Sequence, residues 1–360
     1  MILRKRKTKL YTGLSFFILL FVINRLSLTF HGYSHGPVQV LILTYMRSGS
    51  SLTGDILQHS QGSFYVFEPL RSLCPHNCSS IILRNLVYAN GSKRTTPISF
   101  NKTSYSILHN WFNCSITELP SVGLLDVFLD KGWKTQLFFP CYVGFILKTM
   151  NHSYAIEECA RQLGDICERS PIRIVKTIRA RLNYVKYLLD DFPNLKIIHV
   201  VRDPRATLWS QSHFHMCLAD GGGRYRCSKN LCGRMEDDIA ESHRLSKTYP
   251  NRIMTLKYED LAKQPIEISQ KMYDFISVPM TSETKMYVYN KTKAGNKNDC
   301  EICSTRANSS AHIDYWKHFI DPDFLDIINT RCDFVLRHFQ YDEYTINKSS
   351  NATLRFLPAS

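Results

Sequence analysis

The segment Val38–Ser60 constrains the fold of this chain more than any other stretch. It begins with the apolar run Val38–Tyr45, passes through the small-residue turn Arg47–Ser51, and ends with the apolar spacing of a helix. A strand, a loop and a helix in this order direct unpaired backbone N–H groups and the positive end of the helix dipole to one place. Arg47 adds a full charge, and the serines add hydroxyl donors. The segment predicts an anion-binding site; a simple helix-capping turn is the alternative.

Strand-like and helix-like segments alternate again after residue 171. The predicted strands are Arg173–Thr177, Leu195–Val201 and Arg252–Lys257. The predicted helices are Ala180–Asp190, Arg205–Ser212, Glu236–Thr248 and Asp323–His338. This alternation predicts an α/β fold with a central, mainly parallel sheet flanked by helices. Ligands bind beyond the carboxyl ends of the strands in such sheets, and both Arg47 and Arg202 would lie there.

Three further segments of the chain also carry structural predictions. We expect Arg71–Pro120, which is polar and rich in glycosylation sequons, to run over the surface as a glycosylated excursion. The apolar stretch Gln136–Leu147 is interpreted as a buried strand and turn. The Gly/Cys-rich stretch Met216–Cys232 is interpreted as a loop.

The N-terminal region predicts a membrane anchor. Residues 1–9 are basic and predict a cytoplasmic tail, and residues 10–30 are mostly apolar and predict one transmembrane helix. We expect residues 31–36 to form a short stem, residues 37–345 a luminal catalytic domain, and residues 346–360 a C-terminal tail. A cleaved signal peptide is the alternative, but no convincing small-residue cleavage site follows the apolar core.

Composition supports a luminal location. All twelve cysteines follow the predicted anchor, which is consistent with disulfides in an oxidising compartment, although their pairing does not follow from the sequence. The pair Cys300 and Cys303 lacks a second metal-ligand pair at suitable spacing, so we interpret it as structural. The formal net charge of +14 fits an anionic ligand. Nine N-x-[ST] sequons occur, at Asn77, Asn90, Asn101, Asn113, Asn151, Asn290, Asn308, Asn347 and Asn351.

A second arginine follows another predicted strand and supports a two-anion site. Arg202 begins the segment Arg202–Ala206, and Ser210 follows two helical turns later. In order along the chain, the two motifs and the run Phe64–Leu70 (FYVFEPL) resemble the Golgi carbohydrate sulfotransferases. More narrowly, they resemble the 6-O-sulfotransferases that act on N-acetylglucosamine, galactose or N-acetylgalactosamine. Further matching stretches are Leu256–Leu261, Ser304–Arg306, Tyr315–Lys317 and Cys332–Tyr341, so that the resemblance spans roughly residues 38–341.

This resemblance implies a P-loop-like sulfotransferase fold and 3′-phosphoadenosine 5′-phosphosulfate (PAPS) as the co-substrate, with no metal. The residues implied to bind its 5′-phosphosulfate are Arg47, Ser48, Gly49, Ser50 and Ser51, and those implied to bind its 3′-phosphate are Arg202 and Ser210. Other residues of the two motifs are also predicted to bind the co-substrate, namely Leu52, Asp203, Pro204, Arg205 and Ala206. Arg306 is predicted to close over the nucleotide. Arg47 is also predicted to stabilise the charge that develops on the leaving phosphate.

The acceptor hydroxyl requires a general base, for which the prediction is Glu68 at the end of the FYVFEPL run. The alternative is that Glu68 only forms an ion pair, for example with Arg71. His199 lies within a predicted strand and is interpreted as a buried, hydrogen-bonded histidine. Lys176 and Arg179 lie at the end of a predicted strand and could contact substrate or phosphate; ordinary surface charge is the alternative. Trp316 is interpreted as a core residue rather than a sugar platform.

Other function classes fit the sequence less well. A kinase or nucleotide hydrolase would carry a lysine in the anion loop, and Arg47–Ser51 has none. A Golgi glycosyltransferase often carries an Asp-x-Asp motif, but Asp321–Asp323 resembles a helix start. A non-catalytic protein that binds sulfated glycans stays open. We therefore predict a Golgi type II membrane enzyme with a glycan or proteoglycan acceptor and no nucleic-acid partner; a homodimer is possible.

Overall fold

The apolar segments of the domain pair into a central parallel sheet. A computed structural model describes residues 36–73, 86–94, 100–217, 221–293, 295 and 304–346. The strands are β1 (Val38–Thr44), β2 (Ser63–Phe67), β3 (Leu86–Val87), β4 (Lys93–Arg94), β5 (Ile172–Thr177), β6 (Leu195–Val201) and β7 (Ile253–Lys257). Five of them form a sheet in the order β2-β5-β1-β6-β7, in which every neighbouring pair is parallel. The prediction of a mainly parallel sheet is therefore confirmed.

The helices cover both faces of this sheet. They are α1 (Ser50–Gln58), α2 (Phe100–Phe112), α3 (Ser121–Leu124), α4 (Phe138–Thr149), α5 (His152–Glu168), α6 (Leu182–Asp191), α7 (Pro204–His213), α8 (Gly221–Thr248), α9 (Tyr258–Lys263), α10 (Pro265–Phe275), α11 (Ser282–Thr292), α12 (Pro322–Arg331) and α13 (Asp333–His338). Short 3₁₀ turns occupy Ile116–Glu118, Val127–Lys131, Thr135–Leu137, Ser309–His312 and Tyr315–His318.

The central strand β1 has apolar residues on both of its faces. Leu41 and Leu43 belong to the core cluster that includes α2, α5 and α6, whereas Val40 and Ile42 belong to the one that includes α1, α9 and α10. Side chains alternate between the faces of a strand, so a continuous apolar run is what a strand covered on both sides requires. A third cluster lies under α7, α8 and α12.

Two segments are more helical than we expected. The prediction of a buried strand within Gln136–Leu147 is wrong, because α4 occupies it and only Phe138 of that helix is buried. Periodicity alone does not distinguish a short apolar strand from a helix. The surface excursion predicted for Arg71–Pro120 contains α2, whose buried face includes Leu108, Trp111 and Phe112. Apolar side chains spaced three and four residues apart bring that face into the core.

Two boundaries near the C-terminal half also differ from the prediction. The loop predicted at Met216–Cys232 ends at Gly221, because α8 starts there, well before the predicted Glu236. The single helix predicted for Asp323–His338 is two helices, α12 and α13, which meet at Cys332. Cys332 is fully buried and bonded to Cys232 of α8, so this disulfide joins the helix junction to the longest helix described.

All cysteines within the described residues form disulfides. The pairs are Cys114–Cys167, Cys141–Cys159, Cys217–Cys227 and Cys232–Cys332. The expectation of disulfides is thereby confirmed for these eight residues. Cys74, Cys78, Cys300 and Cys303 lie outside the residues that the structure describes.

The predicted anchor lies outside the part of the chain that the structure describes. By contact density the chain divides into two units, Met1–Pro37 and Val38–Ser360, and every strand and helix named above belongs to the second. Residues 10–30, like the predicted cytoplasmic tail and most of the stem, lie outside the described residues. Within the described ranges, no helix has both the length and the apolar character to cross a bilayer.

Candidate functional site

The predicted site residues follow the carboxyl ends of four neighbouring strands. Glu68 comes directly after β2, Arg179 two residues after β5, Arg47 three residues after β1, and Arg202 directly after β6. The sheet order places these strands side by side, and adjacent strands lie about 4.8 Å apart. The parallel sheet therefore brings the predicted anion-binding and catalytic residues to one edge.

The loop between β1 and α1, residues Arg47–Ser51, is called the donor loop here. Two of its residues have left-handed backbone conformations, Arg47 with φ 68° and Gly49 with φ 81°. A Cβ atom on Gly49 would lie 2.1 Å from the ring of Tyr258, so the ring packs directly against this glycine. Only glycine satisfies both the backbone angle and this close approach.

The donor loop has polar groups available for an anion. Among the described residues, no side chain caps the N-terminus of α1. The Oγ of Ser48 is buried and has no hydrogen-bond partner within the same residues. Uncapped amides at a helix N-terminus and an unpaired buried hydroxyl fit a phosphate or sulfate group. The residues of the loop thus suit the anionic end of the predicted co-substrate.

The second motif contacts the donor loop directly. Arg47 Nε donates to Ser210 Oγ of α7 at 2.9 Å, and Arg202 Nη1 donates to the backbone oxygen of Arg47, also at 2.9 Å. Gln211 Nε2 donates to the backbone oxygen of Met46 at 2.9 Å. The two arginine-bearing strand ends therefore form one cationic site.

Two other members of the second motif pair with each other. The guanidinium of Arg205 contacts the carboxylate of Asp203 at 2.8 Å, and both side chains are buried. Asp203 also caps α7 by accepting from the backbone N–H of Arg205. Glu259 accepts from the backbone N–H of Asp203 at 2.9 Å, and burial raises the pKa of Glu259. A direct role for Asp203 and Arg205 in donor binding stays a prediction.

Glu68 is held at the end of β2 by two cations. Its Oε1 accepts from Lys176 Nζ at 2.7 Å and from the backbone N–H of Ile178 at 3.0 Å, and its Oε2 accepts from Arg179 Nη1 at 2.6 Å. The side chain of Glu68 is only 2% exposed. The expected ion-pair partner, Arg71, pairs with Asp126 instead, because β5 and not the Arg71 turn lies beside β2.

The sequence left the roles of both Lys176 and Arg179 undecided. Lys176 lies within β5, and its side chain is buried against Glu68, with Nζ 4.4 Å from the ring centre of Phe67. A lysine inside an apolar strand is a signal that could have been used, since a buried lysine requires a partner. Lys176 and Arg179 therefore line the site on the side of β2.

A network of buried, hydrogen-bonded polar side chains next to the site was not predicted from the sequence. The hydroxyl of Tyr45 donates to Asp238 Oδ2 at 2.9 Å and lies 3.0 Å from His199 Nε2. Asp238 Oδ1 accepts from the backbone N–H of Leu182 at 3.1 Å, and Arg234 donates to the backbone oxygen of Ile178 at 3.0 Å. The network joins α8 to the residues that precede the donor loop and to those around Arg179.

The titration behaviour of this network follows from its burial. His199 is fully buried, and desolvation lowers its pKa; the charge of Asp238 opposes this shift and that of Arg234 adds to it. Desolvation also raises the pKa of Tyr45, with Asp238 acting in the same direction. The interpretation of His199 as a buried, hydrogen-bonded residue is confirmed.

The segment Ser304–Arg306, whose arginine is predicted to close over the nucleotide, lies against α1 and α11. The hydroxyl of Ser304 donates to the carboxylate of Asp55 in α1, and the backbone N–H of Arg306 donates to the backbone oxygen of Lys291 at 2.8 Å. The closure of Arg306 over a nucleotide stays a prediction. Trp316 is buried in the third core cluster, as interpreted from the sequence.

Comparisons with known proteins identify the family. A family model described as a sulfotransferase domain matches residues 37–341. The chain belongs to the sulfotransferase family. Mouse carbohydrate sulfotransferase 1 is 25% identical to it over 345 residues, which cover 84% of this chain and 79% of that protein. Human carbohydrate sulfotransferase 3 is 25% identical over 337 residues, which cover 84% of this chain and 67% of that protein.

A solved structure is also similar. The sulfotransferase domain of the Synechococcus PCC 7002 olefin synthase has a TM-score of 0.43 and 16% sequence identity, and the likeness covers 87% of this chain and 98% of that chain. In the described part of this sulfotransferase, no group of three or more His, Cys, Asp or Glu residues could hold a metal ion. The cations that line the site are the side chains of arginine and lysine.

Proposed function

We propose that this protein transfers a sulfuryl group from PAPS to a hydroxyl of a carbohydrate, and specifically to the 6-hydroxyl of N-acetylglucosamine, galactose or N-acetylgalactosamine. The observation that carries the proposal is the direct contact between the two anion-binding motifs, Arg47 with Ser210 and Arg202 with the backbone of Arg47. A site that combines both motifs suits a ligand with two separate anionic groups. The similarity to carbohydrate sulfotransferases supports the choice of acceptor class.

The donor loop would hold the sulfated end of the co-substrate. Ser48, Gly49, Ser50 and Ser51 lie at the uncapped start of α1, where backbone amides and the helix dipole stabilise an anion. The co-substrate supplies an activated sulfuryl group whose bond to phosphate breaks during transfer. Arg47 would stabilise the negative charge that the leaving phosphate gains, and a fixed guanidinium is suited to this because it needs no reorganisation.

Arg202 and Ser210 would hold the 3′-phosphate. Arg202 also lies 4.7 Å from the ring centre of Tyr258, which itself packs on Gly49. This contact fixes the guanidinium beside the donor loop and limits the orientations that it can adopt. A rigid pair of anion sites would position the co-substrate for in-line transfer.

Glu68 would act as the general base. A carboxylate has about four acceptor positions, and the contacts with Lys176, Ile178 and Arg179 use three of them. The hydrogen bonds fix the orientation of the group and leave an acceptor position for the hydroxyl of the sugar. The sugar oxygen would attack sulfur while its proton passes to Glu68, and the bond between sulfur and the phosphate oxygen breaks.

The proposed location is the Golgi membrane, with the catalytic domain in the lumen. Four disulfides among the described residues support an oxidising compartment. The basic N-terminus followed by an apolar stretch supports a type II anchor at residues 10–30. Nine sequons support exposure to the glycosylation machinery.

The test is transfer of radiolabelled sulfate from PAPS to a panel of defined glycans. The full-length protein is purified in detergent, and the sulfated position is mapped on each product. We expect label on the 6-hydroxyl of one of the three sugars. Label on another position would correct the acceptor assignment. An absence of transfer, combined with an absence of measurable binding of 3′-phosphoadenosine 5′-phosphate, would overturn the proposal.

A further inference from the structure

We propose that the side chains of Trp209, His213, Tyr315 and Phe319 form a stacking subsite for a pyranose of the glycan acceptor, outside the unit that receives the sulfuryl group. These four residues are called the ring cluster here. The inference rests on the proposed function, because it assigns part of the acceptor to a surface next to the same site. It names a binding surface that the anion motifs and Glu68 do not account for.

The rings of this cluster contact one another at the surface. Trp209 stacks on His213 with a centroid distance of 5.6 Å and an interplanar angle of 19°, and on Phe319 at 6.3 Å and 28°. Tyr315 contacts Trp209 at 5.8 Å and Phe319 at 4.9 Å. Tyr315 is 45% exposed and Phe319 39% exposed. The cluster therefore presents aromatic surface to solvent while Trp209 supports it from below.

The ring cluster is continuous with the donor loop. Phe214 contacts both: the guanidinium of Arg47 lies 4.2 Å from its ring centre, and the ring centre of His213 lies 5.4 Å from it. Trp209 and His213 lie on α7, four residues apart and therefore on one face of the helix. Ser210, which binds Arg47, lies on the adjacent face. A chain that passes over α7 from the donor loop would reach the ring cluster directly.

The chemistry of the ring cluster suits a sugar. Aromatic rings combine a large apolar face with a polar edge, and a pyranose has an apolar face of C–H groups surrounded by hydroxyls. The cluster adds the phenolic hydroxyl of Tyr315, the indole N–H of Trp209 and the imidazole of His213, which donate to or accept from hydroxyls. Rings with such polar edges fit an oligosaccharide better than they fit an aliphatic surface.

The test compares a short and a long acceptor with the full-length enzyme. One acceptor is the single sugar that carries the reacting hydroxyl, and the other is an oligosaccharide that ends in the same sugar. In Tyr315→Ala and Phe319→Ala we expect the KM for the oligosaccharide to rise roughly two- to tenfold. The KM for PAPS and the KM for the short acceptor should stay at wild-type values. Tyr315→Phe and Phe319→Tyr retain a ring, so their KM for the oligosaccharide should stay closer to the wild-type value than that of the alanine variants.

Phe334→Ala is the matched control. Phe334 is 50% exposed and stacks on His338 of α13, so this variant removes an equally exposed ring from another surface and should keep all three constants. Thermal unfolding of each variant identifies any loss of folding. An unchanged KM for the oligosaccharide in folded Tyr315→Ala and Phe319→Ala would overturn the subsite.

Two other outcomes would also reject the subsite. A rise in the KM for PAPS in the same variants would mean that the ring cluster serves the nucleotide. If the wild type transfers no sulfate to any glycan, the proposed function fails together with the subsite. If the wild type is active while the variants equal it, the subsite fails alone. The two proposals are therefore separable.

Discussion

The hydrogen bonds that join the two donor-side motifs go to a hydroxyl and a backbone group, whereas Glu68 on the other side of the site is held by buried ion pairs. Arg47 binds the neutral side chain of Ser210, and Arg202 binds a backbone oxygen of the donor loop. Glu68 instead contacts two full positive charges, Lys176 and Arg179. The hydrogen bonds that join the donor-side motifs are therefore made to neutral groups. On the carboxylate side, Lys176 and Arg179 both pair with the negative charge of Glu68.

This difference separates binding from proton transfer. A hydrogen bond to a neutral acceptor fixes a guanidinium without cancelling its attraction for phosphate and sulfate. A carboxylate held by two cations has a fixed orientation, and in the proposed mechanism its remaining hydrogen-bond position would accept from the hydroxyl of the sugar. Changes on the donor side should therefore affect PAPS binding and the leaving group, whereas a change at Glu68 should affect turnover.

The largest effect is expected for Glu68→Gln. The amide retains the shape of the side chain and an acceptor for Lys176 but cannot take the proton, so kcat should fall by about 10²–10⁴. The dissociation constant of 3′-phosphoadenosine 5′-phosphate, measured by calorimetry, should stay unchanged. Steady-state sulfate transfer gives kcat.

Glu68→Gln also weakens a buried ion pair, so a structural control is required. Asp126→Asn breaks the nearby ion pair with Arg71 without touching the proposed base. It should retain wild-type kcat. If Glu68→Gln transferred sulfate at the wild-type rate, the carboxylate side would be structural only and the comparison of the two sides would fail.

Arg47→Ala should reduce kcat/KM by about 10²–10³, because it removes the cation that is proposed to stabilise the leaving phosphate. Arg71→Ala removes a partly exposed arginine at the same end of the sheet and serves as the matched control. Both variants should melt close to the wild type, as recorded by circular dichroism. Equal turnover in the two variants would contradict a role of the donor loop in transfer.

Ser210→Ala should have a smaller effect. It removes the acceptor of Arg47 Nε, a charge-assisted hydrogen bond whose loss corresponds to about tenfold in affinity. We expect the KM for PAPS to rise by about this factor while kcat changes little. Ser212→Ala, two residues along α7, should leave both constants as they are. A decrease in kcat alone would place Ser210 on the catalytic rather than the binding side.

The smallest effect concerns stability, at the network beneath both sides. Burial lowers the pKa of His199, so the unfolded chain takes up a proton near pH 6.5 while the folded protein does not. The free energy of unfolding should therefore fall as the pH decreases below this value, by at most about 1.4 kcal/mol per pH unit from one histidine.

The variant His199→Gln tests this pH dependence, because glutamine can still bond to Tyr45 but does not titrate. Urea unfolding between about pH 7 and about pH 5 should give a flatter stability curve for the variant than for the wild type. His243→Gln, in the exposed part of α8, is the control and should keep the wild-type slope. Identical slopes for His199→Gln and the wild type would mean that His199 titrates normally.

The parts of the site that could be predicted are those formed by residues that are neighbours in the sequence. The strand, loop and helix around Arg47 follow from the local pattern of apolar and small residues, and α7 starts at Pro204 as its capping sequence indicates. The same kind of reasoning did not locate α4 or the start of α8. An apolar run can form either a strand or a helix. The three glycines at the start of α8, residues 221–223, do not prevent a helix that packing and disulfides stabilise.

By itself, the sequence determined two anion-binding motifs and the parallel sheet that carries them, because hydrophobic period and turn chemistry are local properties. Only the tertiary structure decided which side chains meet. Arg47 and Ser210 are 163 residues apart, and Glu68 and Lys176 are 108 apart. Such contacts depend on strand order, which places β5 beside β2 and β6 beside β1. The same strand order assigns Glu68 to Lys176 and Arg179, because a charged side chain pairs with its neighbour in space rather than with its neighbour in sequence.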